Sequence, residues 1–475
     1  MNYKHARPSL LFLLLAVRIL CGCNKDKFLD KKPDTRLVVP TTLTDMQALL
    51  DNQIVMQETP ELGELSSDNY YLLYPTWTGL TTKYQNAYTW AKDTYKGQGK
   101  IPDYNNPYQQ VFYANVVIDG LQQLKVDESS RQEYNRVWGM ALFIRAYAFY
   151  NLAQIFAPVY DGGTASKDVG IALRLTSDVN APSVRANVED TYNRILSDLL
   201  QADSLLPELV PSSKLNRPCR AAVQAMLARV YLSMREYPQA GTYANNSLQL
   251  YDSLIKYKTY YVNGIAKPFP QVTSEILYQS VLVSTSEVLV GGGFKTVCVV
   301  DTNLYDSYKP GDLRRFLYYR GSSTNTSHYL RYNYSSYSWY FSGLAVDEVL
   351  LIRAECAARA GNKNAALDDL NKLLSYRWVD QDSMLYVPVT AASPEAALDS
   401  ILVERRKELA FRGLRWTDLR RLNKDNANII ITHGLNGQLY NLPASSPNYV
   451  YDLPPDVTGL GNMTENSHRV QIDPN

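Results

Sequence analysis

The sequence has few of the residues that build metal centres and disulfide frameworks. It contains 5 cysteines and 4 histidines among 475 residues. Two cysteines lie close together near the start, which leaves an odd number in the rest of the chain: Cys219, Cys298 and Cys356. Such a set argues against a disulfide framework. The histidines are far apart and form no H-x-x-x-H pair, and no C-x-x-C pair occurs, so we predict no His/Cys metal site.

The chain also lacks an excess of charge and the short motifs of common enzymes. Its 48 basic and 47 acidic residues give a net charge of +1, which excludes the strongly basic surface of nucleic-acid-binding proteins. It contains no G-x-S-x-G, no H-E-x-x-H and no phosphate-binding loop, since Gly291-Gly-Gly293 is not part of a Gly-Lys-Ser/Thr ending. We therefore predict that the protein is not an enzyme and has no cofactor. A Ca²⁺ site built from loop carboxylates, such as Asp301 and Asp306, stays open.

The first residues have the layout of a secretory signal. Lys4 and Arg7 precede an apolar run at 10–17 that is too short to span a bilayer. The next residues, Leu20-Cys21-Gly22-Cys23, resemble a lipobox, which predicts cleavage before Cys23 and lipid attachment to its thiol. An ordinary signal peptide with incidental cysteines is the alternative. No other stretch reaches the ~18 consecutive apolar residues of a membrane helix.

Helical periodicity dominates the chain from about residue 131. Ala-rich stretches at 220–250 and 349–373 resemble the helix–turn–helix pairs of tetratricopeptide (TPR) repeats. We predict a mainly α fold in which TPR-like helical pairs carry long loops and a few short strands. The predicted regions are a signal peptide (1–22), a lipidated tether (23–40), a loop-rich N-terminal region (41–130), TPR-like pairs (131–250), an insertion with ligand-face loops (251–342) and a C-terminal region with further TPR-like helices (343–475).

Tyrosine is abundant and phenylalanine is scarce, at 37 against 11 residues. Aromatic rings with polar edges suit surfaces that are half apolar and half wet, on which a flat ligand can stack while polar side chains beside the rings form hydrogen bonds. Two segments offer this chemistry, 68–90 and 318–340. The candidate ligand-binding residues are Asp68, Asn69, Tyr74, Trp77, Tyr84, Tyr318, Tyr332, Tyr337 and Trp339. The alternative is that the tyrosines of the second segment form a strand face that packs on the helices; Trp90, Trp138 and Trp378 are expected in the core.

A motif near the C-terminus combines acids and arginines on a helical apolar pattern. It begins Ile401-Leu-Val-Glu404-Arg405-Arg406-Lys-Glu408-Leu409, and Ile401, Arg405, Glu408 and Leu409 share one helical face. It resembles the signature of the SusD/RagB family of nutrient-binding outer-membrane lipoproteins, I-x-x-E-R-x-x-E-L-x-x-E-G-x-R-x-x-D-L. Arg412 stands where that pattern has Glu, so we expect one ion pair to be rewired here.

Blocks at 141–152, 192–207 and 351–357 are similar to further parts of that family. The resemblance implies a cell-surface glycan-binding lipoprotein, anchored by lipid to the outer membrane and facing the exterior. It also implies a partner, a SusC-like TonB-dependent transporter, to which the oligosaccharide or polysaccharide is delivered. Capture of a peptide or glycopeptide, or a TPR-like adaptor for another protein, are the alternatives. A glycosidase based on Glu404 and Glu408 is disfavoured, because their arginine-rich setting predicts ion pairs.

Overall fold

The structure of the chain is a computed structural model that describes residues 40–289, 297–323, 325–331, 334, 339–379, 384–461, 463–466 and 469–475. Thr41–Asn475 is one structural unit. The predicted signal peptide, Cys23 and nearly all of the tether lie outside the described residues. Among the helices of the described ranges, none is both long and apolar enough to cross a membrane.

Helices form the scaffold. In chain order they are α1 (Leu43–Leu50), α2 (Gln53–Met56), α3 (Leu62–Leu65), α4 (Tyr74–Thr78), α5 (Thr82–Tyr88), α6 (Pro102–Gln123), α7 (Arg131–Phe156), α8 (Val188–Leu205), α9 (Arg220–Met234), α10 (Tyr237–Leu250), α11 (Thr302–Asp306), α12 (Arg314–Leu317), α13 (Val346–Arg359), α14 (Lys363–Ser375), α15 (Pro394–Glu408), α16 (Arg415–Lys424) and α17 (Pro455–Gly461). Consecutive long helices pack as neighbours, α6 on α7, α7 on α8, α9 on α10 and α13 on α14. The mainly α, TPR-like prediction is confirmed.

Local sequence accounts for the helix ends that place these pairs. The Asn187 side chain accepts a hydrogen bond from the Asp190 amide at 2.6 Å and caps α8. Gly361 follows α13 with φ +80°, a left-handed conformation that glycine adopts without steric cost. Small residues let α9 approach α10, because Ala225, Ala228 and Ala240 are fully buried. Caps and small residues therefore fix both the length and the close packing of the pairs.

Short strands tie the N-terminal loops to the insertion. They are β1 (Glu58–Thr59), β2 (Tyr70–Tyr71), β3 (Val169–Ala172), β4 (Arg185–Asn187), β5 (Tyr261–Val262), β6 (Ile265–Ala266), β7 (Ile276–Tyr278), β8 (Val281–Leu282), β9 (Val299–Val300), β10 (Tyr319–Gly321), β11 (His328–Leu330), β12 (Leu344–Ala345), β13 (Ile431–Leu435) and β14 (Gln438–Leu442). The order β10-β11-β9-β2 makes one four-stranded sheet, and β1 pairs in parallel with β8. Pairing of strands more than 200 residues apart holds the N-terminal loops against the insertion.

The acid–arginine motif forms α15, a turn and the start of α16. Ile401, Arg405, Glu408 and Leu409 are all buried, as their shared helical face predicts. The turn places Gly413 at φ +74°, and a Cβ there would lie 2.9 Å from Leu282 Cδ2. Glycine is therefore required at 413 both for the backbone conformation and for the close approach of β8.

Buried ion pairs join this motif to the insertion and to α14. Arg377 Nε donates to Glu408 Oε1 at 2.8 Å, and its Nη1 and Nη2 donate to Glu275 at 2.9 and 3.0 Å. Arg314 binds Asp312 and the second oxygen of Glu408 at 2.6 and 2.9 Å. Burial raises the pKa of Glu408, but the charges of Arg377 and Arg314 outweigh it and hold that pKa below its ordinary value. These five residues, together with Glu404, form the acid–arginine network.

Glu404 and Glu408 are thus ion-paired, as the arginine-rich setting predicts. Glu404 Oε1 accepts from Lys407 Nζ at 2.7 Å, and its Oε2 accepts from Arg314. Arg412, which departs from the family pattern, donates from Nη1 to Asp347 Oδ2 at 2.6 Å. Its guanidinium carbon lies 4.6 Å from the centre of the Tyr334 ring. The expected rewiring is therefore an Arg412–Asp347 pair.

The polar segment from Ile431 begins with the antiparallel β13–β14 hairpin. The hairpin turn is Asn436-Gly437, with φ of +50° and +80°, a dipeptide that strongly favours such turns. Within the region predicted to be rich in loops, α6 is a long helix that begins at Pro102. Its first turn is held in place because the Asp103 carboxylate accepts the amide protons of Glu61 and Leu62.

Candidate ligand-binding site

Two aromatic rings form a platform on α4. The rings of Tyr74 and Trp77 stack with centroids 5.9 Å apart and planes inclined by 23°. Tyr74 is 43% exposed and Trp77 is half-buried. Pro75 lies in the first turn of this five-residue helix, and Leu73 before it is extended, so the ring pair projects from a short, sharply started helix. An exposed stacked pair is a surface on which a planar apolar face can lie.

The platform is clamped to α5. Trp77 Nε1 donates to the Gln85 carbonyl at 3.1 Å, and the Gln85 side chain donates back to the Trp77 carbonyl at 3.1 Å. Glu287 of the insertion accepts from the Thr81 amide and hydroxyl at 2.9 and 3.0 Å. These reciprocal bonds fix the indole edge, so its face is presented in one orientation without ordering by a ligand.

A buried charge cluster lies beneath α5. Lys83 Nζ is 2.9 Å from Glu61 Oε1 and 3.4 Å from Asp103 Oδ2, and all three residues are under 5% exposed. Burial raises the pKa of Glu61, and the Lys83 charge opposes this shift. Because removal of one buried partner would leave the others uncompensated, the cluster holds α5 firmly against the start of α6.

Trp77 also stands on the wall of an open cleft of about 850 Å³. The cleft runs between the loop after α5, the β13–β14 hairpin and the C-terminal segment. The other lining residues are Asn86, Thr89, Ala91, Lys92, Asp93, Tyr95, Lys96, Tyr440, Asp452, Leu453, Pro455, Thr458, Glu465, Arg469, Gln471 and Ile472. An aromatic wall beside amide, hydroxyl and charged groups is the lining expected for a polar ligand that also has an apolar face.

Burial and the neighbouring charges of the cleft act on the pKa of one acidic side chain, Asp452. Burial raises the pKa of Asp452 to about 7; Arg469 opposes this shift, and Glu465 and Asp93 add to it. Arg469 Nε lies 3.8 Å from Asp452 Oδ2, which is too long for a hydrogen bond. The remaining nitrogens of Arg469 donate to backbone carbonyls, among them that of Ala91 at 2.9 Å. Arg469 therefore fixes the cleft wall, while Asp452 remains an acceptor for hydroxyl groups.

His433 attaches the hairpin to the N-terminal loops. Its ring lies between those of Tyr88 and Trp90, with centroids 4.1 and 4.4 Å away. Its ring nitrogens lie 2.7 Å from the Tyr88 carbonyl and 3.0 Å from the Ser67 carbonyl. Burial lowers the pKa of His433, and the two carbonyl acceptors oppose this shift. The hairpin that carries Tyr440 into the cleft is thus held by one buried imidazole.

The variant His433→Phe keeps a ring between Tyr88 and Trp90 but removes both nitrogens. We expect the free energy of unfolding in urea to fall by about 2 kcal/mol, because the carbonyl that accepts the imidazole N–H, that of Tyr88 or Ser67, loses its buried partner. His328→Phe is the control, since His328 also stacks on a tyrosine, Tyr305, but is only half-buried. Equal losses in the two variants would contradict a hydrogen-bonding role for His433.

The structure places the predicted Asp68 and Asn69 in an internal ion-pair and amide cluster. Asp68 accepts from Arg415 Nε and Nη2 at 2.7 and 2.8 Å, and Asn69 donates to Glu64 at 2.8 Å. Burial would raise the pKa of Asp68, but the charges of Arg415 and Arg406 outweigh it and keep that pKa well below its usual range. Asp68 therefore holds the loop against α16, and Asn69 is engaged with Glu64 of α3.

The predicted tyrosines divide between surface and core. Tyr84 is 5% exposed and donates to Glu61 at 3.0 Å; Tyr318 is 7% exposed, with its hydroxyl 2.6 Å from that of Tyr257. Trp339 is half-buried. Tyr332 and Tyr337 lie outside the described residues. Among the predicted residues that the structure describes, Tyr74 and Trp77 are the two that stack at the exposed edge of the cleft.

Sequence reasoning missed the part of the cleft formed by the loop after α5 and the C-terminal segment. The polar residues concerned are Asn86, Lys92, Lys96, Tyr440, Asp452, Glu465, Arg469 and Gln471. One signal was available, because the Asn436-Gly437 turn predicts a hairpin that would carry Tyr440. Of the expected core residues, Trp90 is fully buried, and Trp138 and Trp378 pack partly buried against the core. Cys219, Cys298 and Cys356 are buried and unpaired.

Two consecutive parts of the chain match known protein families. Residues 27–232 match a family described as starch-binding and associating with the outer membrane, and residues 240–453 match the SusD family. The chain is 24% identical over 416 residues to the SusD-like protein P2 of Formosa agariphila, covering 76% of this chain and 78% of that protein.

Solved structures show the same architecture. A putative sugar-binding protein from Bacteroides vulgatus superposes with a TM-score of 0.71 and 19% identity, over 91% of this chain and 100% of that one. A SusD superfamily protein from Bacteroides thetaiotaomicron superposes with a TM-score of 0.68 and 19% identity, over 90% and 99%.

A TPR-like scaffold that carries an aromatic platform beside a polar cleft defines a ligand-binding protein built on helical pairs. The two family matches lie in tandem and together cover residues 27–232 and 240–453. The chain belongs to the SusD/RagB family.

Proposed function

We propose that this protein is a lipid-anchored surface protein that captures an oligosaccharide and passes it to a SusC-like TonB-dependent transporter of the outer membrane. The lipid would be attached to Cys23, with the body facing the exterior. The observation that carries the proposal is the stacked Tyr74–Trp77 pair at the edge of the polar cleft. Family membership supports the assignment to the outer membrane and to a transporter partner.

The platform and the cleft supply complementary parts of sugar recognition. A pyranose ring offers an apolar face of C–H groups, which lies on an aromatic ring, and a rim of hydroxyls, which need donors and acceptors. Trp77 provides the first, and Asn86, Thr89, Asp452 and Gln471 provide the second within one continuous cleft. An extended peptide would instead use a row of unpaired backbone groups at a strand edge. The lining residues of this cleft supply side-chain amide, hydroxyl and carboxyl groups, which suit the recognition of hydroxyls.

The variant Trp77→Ala tests the proposal. We expect the purified protein to be retarded in gels that contain one class of neutral polysaccharide, and Trp77→Ala to bind that glycan at least about tenfold more weakly. Loss of ring stacking on a buried aromatic face is worth about 1.5–3 kcal/mol, and 1.4 kcal/mol is a factor of ten in affinity. Calorimetry with oligosaccharides of the same class gives the affinity directly.

Trp138→Ala is the matched control. Trp138 is a half-buried tryptophan on α7 that does not line the cleft, so its loss removes an equal ring without touching the platform. We expect its glycan affinity to equal that of the wild type. Heat from peptide mixtures without retardation by any glycan would favour a peptide ligand for the same fold. Equal weakening in both variants would point to a general loss of structure.

A further inference from the structure

A second open pocket lies at the C-terminal end of α16. Its volume is about 410 Å³. Its walls are the segment that follows α7, the last turn of α16 with the loop after it, and the segment that follows β14. The polar residues that line it include Arg420, Asn423, Asn426, Ser445 and Tyr449. This pocket, which we call the Arg420 pocket, shares no lining residue with the candidate glycan cleft.

Arg420 is a buried cation that has no carboxylate partner among the described residues. It is 4% exposed, and its Nη1 and Nη2 donate to the carbonyls of Gln154 and Ala157 at the C-terminal end of α7. The dipole of that helix end supplies about half a negative charge. The next residue, Arg421, differs, because both oxygens of Glu355 accept from it at 2.6 and 2.8 Å. The charge of Arg420 is therefore only partly compensated within the protein.

The surroundings of Arg420 leave room for a further acceptor. Burial lowers the pKa of Arg420 to about 10, and the groups that oppose this shift are tyrosines, Tyr192, Tyr150 and Tyr449, rather than carboxylates. The guanidinium stays protonated at neutral pH. Its hydrogen bonds to the described residues come from Nη1 and Nη2 alone, so Nε remains able to donate. A buried cation with a remaining donor at the wall of an open pocket favours an anionic group in that pocket.

The other polar walls of the pocket are held in place by hydrogen bonds within the protein. Asn423 Nδ2 donates to the Ile429 carbonyl at 3.1 Å and to the Tyr449 hydroxyl at 3.3 Å, and its Oδ1 accepts from the Ile429 amide at 2.7 Å. Asn423 thus joins the loop after α16 to the segment after β14. Asn426 of this loop is exposed and has φ +67°. A pocket fixed in this way does not have to be ordered by its ligand.

The size and the lining of the pocket restrict the ligand. Pockets for small molecules measure about 300–1,000 Å³, and a monatomic ion or a few waters would occupy only a small part of 410 Å³. The side-chain amides and hydroxyls of the lining suit hydroxyl groups. A guanidinium suits a carboxylate, whose oxygens accept charge-assisted hydrogen bonds. The expected ligand is therefore a molecule that combines one carboxylate with several hydroxyls.

We propose that the Arg420 pocket binds a small hydroxylated carboxylate, the chemical class that includes sugar acids. The carboxylate accepts from Arg420, and the hydroxyls bind the amides and hydroxyls of the other walls. The ligand completes the compensation of a charge that lies where α16 meets the end of α7. This site is additional to the glycan cleft beside Trp77 and does not depend on it.

Calorimetric titration of the full protein with sodium glucuronate tests the site. Glucose with an equal concentration of sodium chloride is the uncharged comparison. We expect glucuronate to bind in the millimolar range usual for a ligand of this size, and more tightly than glucose. The same titrations in Trp77→Ala separate the two sites, because loss of the glycan platform should leave glucuronate binding unchanged. A crystal soaked in glucuronate is expected to show its carboxylate within hydrogen-bond distance of Arg420 Nε.

The variant Asn426→Asp places a negative charge in the wall of the pocket. We expect it to bind glucuronate at least about threefold more weakly, because like charges repel. Asn263→Asp is the matched control, since Asn263 is also exposed and also has a positive φ, +53°, but lies in the β5–β6 turn and does not line the pocket. Aspartate, like asparagine, adopts this backbone conformation.

Arg420→Lys keeps the charge but loses the forked donors of the guanidinium. We expect glucuronate to bind about tenfold more weakly, as for the loss of one charge-assisted hydrogen bond. Circular dichroism checks that this variant is folded, and Asn426→Asp serves if it is not, because the side chain at 426 is exposed.

Three results would overturn the proposal. The first is the absence of glucuronate binding, or binding no tighter than that of glucose. The second is an affinity that stays unchanged in both Asn426→Asp and Arg420→Lys, because the ligand would then bind elsewhere. The third is equal weakening in Asn426→Asp and Asn263→Asp, which would indicate a general effect of added charge.

Discussion

Replacing Arg377 by methionine is expected to lower the free energy of unfolding by about 3–5 kcal/mol. Arg377 is fully buried and donates to Glu275 and Glu408, which are also fully buried. Methionine fills most of the volume but leaves Glu275 without its arginine and Glu408 with Arg314 alone in a low-dielectric interior. Urea unfolding, followed by circular dichroism, measures the change.

Lys372→Met is the matched control. Lys372 pairs with Asp252 at 2.7 Å, but the two side chains are 37% and 60% exposed, so we expect a loss below about 1 kcal/mol. Arg377→Lys should fall between the two, because it keeps the charge and loses the forked geometry that reaches both acids. Similar losses for Arg377→Met and Lys372→Met would show that burial of the network does not matter.

The loss at Arg377 should depend on pH in a definite direction. In the wild type the pKa of Glu408 is held below its ordinary value, so its contribution to stability is present above the unfolded pKa and is lost as pH falls through the folded pKa. Without Arg377, which contributes most to lowering the pKa of Glu408, this carboxyl group takes up a proton more readily, and its protonation reduces the destabilisation of the variant. The difference between variant and wild type is therefore expected to shrink between pH 7 and pH 4.

Replacing Arg412 by glutamate is expected to destabilise the protein more than replacing it by methionine, which itself costs about 3–5 kcal/mol. Arg412→Met leaves Asp347 unpaired, whereas Arg412→Glu adds a second carboxyl group beside it. The pKa of Asp347 is already raised to about 7 by burial, although Arg412 opposes the shift. Since ionisation of two adjacent buried acids is the source of the penalty, we expect the loss to be larger at pH 8 than at pH 5.

Urea unfolding at the two pH values measures this difference. Arg194→Glu is the control, because Arg194 also pairs with an aspartate, Asp198, but its side chain is 36% exposed. We expect a loss of at most about 1 kcal/mol for this control. If Arg412→Glu were tolerated as well as Arg412→Met, the turn at 409–414 would have to accept the glutamate of the family pattern, and the Arg412–Asp347 pair would be dispensable.

Several features of the fold could be predicted because local sequence carries them. The Asn187 cap marks the start of α8, and the spacing of Ile401, Arg405 and Glu408 marks a buried helical face. The helical pairs α9–α10 and α13–α14 follow from small residues at helical spacing. Because arginines surround Glu404 and Glu408 in the sequence, their ion-paired state could be predicted. The partners in the structure include Arg314 and Arg377, which lie about 90 and 30 residues away along the chain.

The candidate site was predicted in part. Tyr74 and Trp77 lie in a segment of polar composition, which indicated an exposed surface, and the structure forms this segment as the short helix α4. Tyr84 and Tyr318 have the same residue type in similar surroundings, yet their hydroxyls are bonded inside the core. Residue type alone does not distinguish these cases, because tyrosine is suited both to the half-wet surface and to an interior in which its hydroxyl finds a partner.

The sequence by itself determined the family, the mainly helical TPR-like scaffold and the pairing of acids with arginines, since periodicity, caps and motif spacing are properties of neighbouring residues. Only the tertiary structure decided which aromatic rings are exposed and which cleft they border. The C-terminal segment with Asp452 and Arg469 meets the loop after α5, more than 350 residues earlier, through His433 and the chain's last strands. Contacts of this length depend on how the whole chain packs, and no local pattern records them.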